Sequence, residues 1–139
     1  MAKILCAIRG GEASQRLQDI AIELAKERGV EIVFLYVVNT EFLDTASVAL
    51  RETVTNEMDK LGEFLLLMAI EKAKRHAVSA SQMIRYGKLQ EEFEAAACVP
   101  EISTVLLGKP REGGLFSMET LEATAKEIEE KCQVEVLIR

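Results

Sequence analysis

At 139 residues, 49% apolar and 29% charged, the chain is long enough to bury a core unaided and too apolar to stay disordered. Its net charge of −6 argues against a general nucleic-acid binder, which needs a basic face to displace counterions. The apolar run Phe64–Ile70 falls far short of the roughly 20 residues that a membrane-spanning helix requires.

Met1-Ala2-Lys3 leads straight into a strand-like segment, which leaves no room for a signal peptide. The three cysteines are widely spaced and form no C-x-x-C pair. They point to a reducing compartment, with neither a disulfide nor a zinc framework. The expectation is one cytoplasmic domain over residues 1–139, without nucleic-acid or membrane partners.

Lys3 to Ile8 reads as a first strand, followed by Arg9, the glycines Gly10 and Gly11, and a helix. Leu17, Ile20, Ala21, Leu24 and Ala25 recur at helical spacing, with charged residues on the other face. Gly29 is placed to end that helix in the left-handed conformation. Val30 to Val38 is β-branched, aromatic and nearly continuous in its apolarity, as a strand covered on both faces must be. Strand, helix and strand with a short return make a right-handed βαβ unit.

Asn39 to about Ala49 is a connection with Phe42 and Leu43 as anchors. A long helix follows from roughly Ala49 to His76, its inward stripe read as Val54, Met58, Leu61, Leu65, Met68 and Lys72. Phe64–Ile70 is apolar around the whole circumference, so either the 39–49 segment or a second subunit should cover its back. Gly62 suggests a close helix–helix approach. Ser79 to Tyr86 is a more polar strand suited to a sheet edge, ended by Gly87. Leu89, Phe93, Ala96 and Ala97 mark a short amphipathic helix closed by Pro100. Ser103 to Leu107 is a fourth buried strand, followed by the loop Gly108 to Phe116. Ser117 is a natural N-cap, with Phe116 and Leu121 as its hydrophobic staple. Met118, Leu121, Ala125, Ile128 and Cys132 form the buried stripe of the last helix. Gln133 to Arg139 is the fifth strand. Alternating strands and helices of this kind imply an α/β, doubly wound parallel sheet.

In such sheets ligands bind beyond the carboxyl ends of the strands, where the connections reverse direction. Arg9 therefore stands at the mouth of the expected crevice, just before a helix N-terminus that favours anions. Lys109 and Arg111 should project nearby, with Gly113 and Gly114 leaving backbone amides accessible. Arg9, Gly10, Val38, Gly108, Lys109, Arg111, Gly113 and Gly114 are the candidate residues for a small anion or nucleotide. The competing reading pairs Arg9 with Glu12 or Glu112 in a wet crevice.

The opening I-L-C-A-I-R-G-G-E-A-S, the A-x-E-L-A at Ala21 to Ala25, the L-Y-V-V ending of the second strand, the L-L-G-K-P-R-E-G-G loop and the closing V-E-V-L-I-R resemble the universal stress protein family. The resemblance runs over essentially the whole chain. It implies a single-domain three-layer α/β/α sandwich, a five-stranded parallel sheet of order 3-2-1-4-5 like the adenine nucleotide alpha hydrolases, and a homodimer. Nucleotide-binding members carry an aspartate at the end of strand one and a G-x2-G-x9-G-[S/T] loop after strand four. In this sequence those positions hold Arg9, Gly108, Arg111, Leu121 and Glu122, so only Gly108 matches.

Arginine has no acceptor, and Glu122 would repel a triphosphate. The resemblance therefore implies a non-catalytic stress-response module without cofactor and without the family's mode of ATP binding. The alternative is a nucleotide-binding protein with a modified crevice, a slow ATPase. The dimer is expected through the C-terminal strand, Val134 to Ile138, or through the helix segment Phe64 to Ile70.

The remaining chemistry-bearing residues point elsewhere. One histidine, His76, excludes a multi-histidine metal site and leaves a solvated cation at a helix end. Cys6, Cys98 and Cys132 read as structural, since cysteine is among the most buried residue types. Lys126 and Lys131 read as partners of neighbouring glutamates on one helix face.

Overall fold

The computed structural model describes residues 2–9, 12–39, 43–109 and 117–139. Five strands and four helices alternate: β1 Lys3–Ala7, α1 Glu12–Arg28, β2 Glu31–Val38, α2 Val48–Arg75, β3 Ala80–Tyr86, α3 Leu89–Ala97, β4 Ile102–Leu107, α4 Met118–Cys132 and β5 Glu135–Ile138. The sheet order is β3-β2-β1-β4-β5 and every pairing is parallel, as the sequence implies.

Alternation along the central strands divides the core in two. Ile4 and Cys6 of β1 and Phe34 and Tyr36 of β2 face α1 and α2, whose Leu17, Ala21, Ala25, Leu66, Ala69 and Ala73 complete one cluster. Leu5, Val33, Leu35 and Val105 face the opposite way, onto Phe93, Ala96 and Ala97 of α3 and Ile128 of α4. The edge strand β3 exposes Ser81 and Gln82, which blunts it against unwanted pairing. Gly29 ends α1 at φ +65°, a conformation with a steric cost for any residue bearing a Cβ. Ser117 caps α4, its hydroxyl accepting from the Thr120 amide at 3.1 Å. Leu43 is a buried anchor; Phe42 and Phe116 lie outside the described residues.

Four expectations are corrected. The buried residues of α2 are Gly62, Leu66, Ala69 and Ala73, about a quarter-turn from the stripe read from the sequence; of that stripe Met58 and Leu65 pack against the core at its flank, while Leu61 and Met68 are exposed. The apolar segment is wider than one face, so periodicity alone does not orient it. The small residues settle the matter by letting the helix approach the sheet. Gly62 receives the ring of Tyr36, not another helix: a Cβ there would sit 2.5 Å from Tyr36 Cδ2.

On α4 only Ala125 and Ile128 are buried, while Met118 is exposed. The helix lies over the short edge strand β5, which covers little of its first turn.

Cys98 and Cys132 form a disulfide, with 4.6 Å between their Cα atoms and 34 residues of separation. Cys98 caps the end of α3 and Cys132 ends α4. Two adjacent helices on one sheet face bring together cysteines that sequence spacing leaves unrelated. The case for a reducing compartment thus loses two of its three residues. Cys6 remains free and buried, with burial pushing its thiol up to about 12; it is an inert core group.

Candidate functional site

At the carboxyl end of β1 the chain continues beside β2 for one residue, with the Ile8 amide donating to the Leu35 carbonyl at 2.7 Å. The next amide, of Arg9, donates to Ser14 Oγ at 3.0 Å. Ser14 lies in the first turn of α1, is itself buried, and lies 3.5 Å from the Gln18 amide nitrogen. This link from helix to strand fixes the Arg9 backbone while its side chain stays exposed.

Arg9 borders a cavity of about 210 Å³ at the ends of β1 and β2. Ala7 and Tyr36 line it from the strands, Asn39 from just past the end of β2, Leu61 and Leu65 from α2, and Leu89 from α3. Its floor is apolar and its polar groups are few, as in small-molecule sites generally. Tyr36 contributes a phenol held neutral: its pKa is raised by burial first and by the nearby Asp59 carboxylate second. Asp59 also accepts a hydrogen bond from the Tyr86 hydroxyl at 2.7 Å, and that bond raises the Tyr86 pKa as well. Both phenols therefore serve as donors through the neutral pH range.

Gly108 and Lys109 leave the neighbouring strand β4 at the same end of the sheet. Cys6 pairs with Leu106, so Arg9 and Lys109 each stand three residues beyond a paired position. The Lys109 amide donates to the Arg139 carbonyl at 3.0 Å, and the Arg139 amide donates to Leu107 at 2.9 Å; the chain end thus holds the start of this loop. Both Lys109 and Gly108 are exposed. A Cβ on Gly108 would meet only Leu17 Cδ2, at an ordinary 3.8 Å.

Val38 is buried in the core against α1 and α2, and its neighbour Asn39 reaches the cavity instead. Gly10, Arg111, Gly113 and Gly114 lie outside the described residues, as do the side chains of Glu12 and Glu112. Leu121 and Glu122 fall inside α4, half-buried and exposed respectively. His76 caps α2 at the opposite end of the sheet, its Nδ1 2.9 Å from the Lys72 carbonyl.

Sequence reasoning missed Tyr36, Asn39, Leu61, Leu65 and Leu89 as lining residues. A tyrosine inside an otherwise aliphatic strand end was the one available signal.

A sheet of this order, with its crevice beside the first strand, defines a class of α/β proteins, and the comparisons narrow it. The family model described as "Universal stress protein family" matches residues 1–138, and the chain belongs to that family. Universal stress protein YxiE of Bacillus subtilis (strain 168) is 29% identical over 124 residues, covering 84% of each chain. Universal stress protein UspA from Lactobacillus plantarum superposes with a TM-score of 0.75 at 19% identity, covering 99% of this chain and 96% of the other. A family member from Arabidopsis thaliana with AMP bound superposes with a TM-score of 0.67 at 13% identity, covering 99% and 90%.

Proposed function

We propose that this protein is a non-catalytic stress-response module of the cytoplasm, working as a homodimer, that requires no cofactor and does not take ATP in the manner of its nucleotide-binding relatives. The observation that carries this reading is Arg9. Where the nucleotide-binding members place a carboxylate, a guanidinium borders the cavity. A guanidinium cannot accept the hydrogen bonds of a ribose. Edge-to-edge pairing of β5 with its two-fold mate supplies the dimer and covers the half-buried Val136 and Ile138; Val136→Asp removes that pairing.

Calorimetric titration with magnesium-ATP tests the reading. The expected result is no saturable heat. Stoichiometric binding that Gly108→Val abolishes and Arg9→Asp alters would overturn it.

One observation favours a second reading, a nucleoside monophosphate held in a modified pose. Arg9 and Lys109 leave adjacent strands at the same end of the sheet, each three residues past the Cys6–Leu106 pair, two cations that one phosphate can engage, and the Arabidopsis relative has AMP bound. Under this reading AMP binds where ATP does not, and Arg9→Ala or Lys109→Ala weakens it about tenfold.

A further inference from the structure

The outward face of α2 is apolar at its middle and charged at both ends. Leu61, Phe64, Leu67 and Met68 are 52%, 59%, 62% and 49% exposed, directly behind the sheet-facing Gly62, Leu66 and Ala69. Their spacing of three, four and seven residues makes one contiguous strip. Toward the amino end the same face carries Glu57 and Lys60, both exposed. Toward the carboxyl end it carries Glu71 and Arg75, also exposed. Along the helix the order is negative, positive, apolar, negative, positive.

We propose that this face is a two-fold interface with a second copy of the chain, the two α2 helices lying antiparallel. A two-fold axis across the helix reverses the order of its charges, and the reversed pattern is the complement of the original. With the axis near residue 66, Glu57 stands opposite Arg75 of the second copy, Lys60 opposite its Glu71, and Phe64 beside its Met68. Angular positions agree as well as heights. Glu57 and Arg75 are about five full turns apart, and Lys60 and Glu71 about three, at 3.6 residues per turn. Each pair therefore falls on the same flank of the apolar strip, as antiparallel packing requires.

A parallel arrangement would set Glu57 against Glu57 and Arg75 against Arg75, so the charges select orientation as well as partner. An isologous interface needs this self-complementarity, and an unrelated partner would give no reason for it. The apolar and charged residues of one helix face fall short of the roughly 20–30 residues a side of a standard interface, so the association is concentration-dependent. It rests on the surface of α2 alone and stands whether or not β5 pairs.

Sedimentation velocity over a concentration series tests the proposal, with Val136→Asp as the background that silences the β5 edge. In that background the chain is expected to dimerise at high concentration, and Phe64→Glu to weaken the association at least about tenfold. Glu57→Arg and Arg75→Glu are each expected to weaken it about threefold to tenfold, since each change enters the symmetric interface twice. Combining Glu57→Arg with Arg75→Glu is expected to restore it. Glu57, Phe64 and Arg75 are exposed, and circular dichroism and urea midpoints unchanged from those of the Val136→Asp background will show that the fold is intact. Association indifferent to Phe64→Glu, or a double swap no better than either single, overturns the proposal. If Val136→Asp has no effect on mass while Phe64→Glu gives monomers, the β5 reading fails and this one stands.

Discussion

On one side of the sheet, helices of 17 and 28 residues bury seven apolar side chains of their own in one cluster, from Leu17 to Ala73. On the other, helices of 9 and 15 residues bury three and two side chains of their own, Phe93, Ala96 and Ala97 from α3 and Ala125 and Ile128 from α4. That second side adds what the first does without, the Cys98–Cys132 disulfide; an ion pair of 2.6 Å runs between the two helices on each side, Lys72–Asp19 on the first and Lys131–Glu94 on the second. The first side has more apolar surface than the sheet can cover, and the surplus faces outward on α2. The second has too little, and the disulfide makes up the difference. Burial on a short helix scales with its few inward positions, whereas a tie between helix ends is independent of helix length.

The largest expected effect comes from cutting the tie. A bridge across 34 residues stabilises by about 3–4 kcal/mol when counted as lost freedom of the unfolded chain. Cys132→Ser, or reduction, is therefore expected to lower the urea-unfolding free energy by about 2–4 kcal/mol. The slope against urea should rise, because the unfolded state opens further. An unchanged midpoint after full reduction would show that the second side holds by packing alone.

A contact on the first side gives the next largest effect. Gly62→Ala should gain about 1 kcal/mol of helix propensity, yet its Cβ would fall 2.5 Å from the ring of Tyr36, which is only 9% exposed. Overpacking of this kind costs about 1–3 kcal/mol, so a net loss of about 1 kcal/mol is expected. Tyr36 also lines the cavity. With no tryptophan and two tyrosines in the chain, tyrosine fluorescence reports the displaced ring directly. Stabilisation by this substitution would mean that the helix backs away from the sheet without loss.

These two sites also show how far the sequence could be read. Strand order, the alternation of helices and the position of Arg9 were legible because buried central strands such as Ile32–Val38 leave a continuous apolar signature, and the family motifs keep their order. The rotation of α2 was not, since Phe64–Ile70 offers apolar residues in every direction. Only the packing of Tyr36 on Gly62 decides which way the helix turns. The disulfide was equally hidden, because its partners meet through the docking of α3 against α4 and through no local spacing. In the site, the charged rim at Arg9 and Lys109 was visible, while the lining from Leu61, Leu65 and Leu89 depends on how the middle of α2 and the start of α3 meet at one cavity.

The smallest expected effect lies where the two sides are joined. Arg28, in the last turn of α1, donates to Glu135 Oε1 on β5 at 2.7 Å and to Thr104 Oγ1 on β4 at 3.1 Å. The Arg28 hydrogen bond, and then that of Thr104, holds the Glu135 carboxyl below the usual carboxylate range. As pH falls, the unfolded chain takes up its proton first. The contribution is therefore complete above the ordinary glutamate value near 4.3 and disappears as pH drops through the lower folded value. Because the Glu135 side chain is 48% exposed, solvent limits the contribution to a few tenths of a kcal/mol. Glu135→Gln should thus lower stability slightly at neutral pH and shallow its acid decline below about pH 4. A variant with the wild-type acid slope would show that α1 and β5 are held together by the sheet, with the ion pair contributing nothing to the joint.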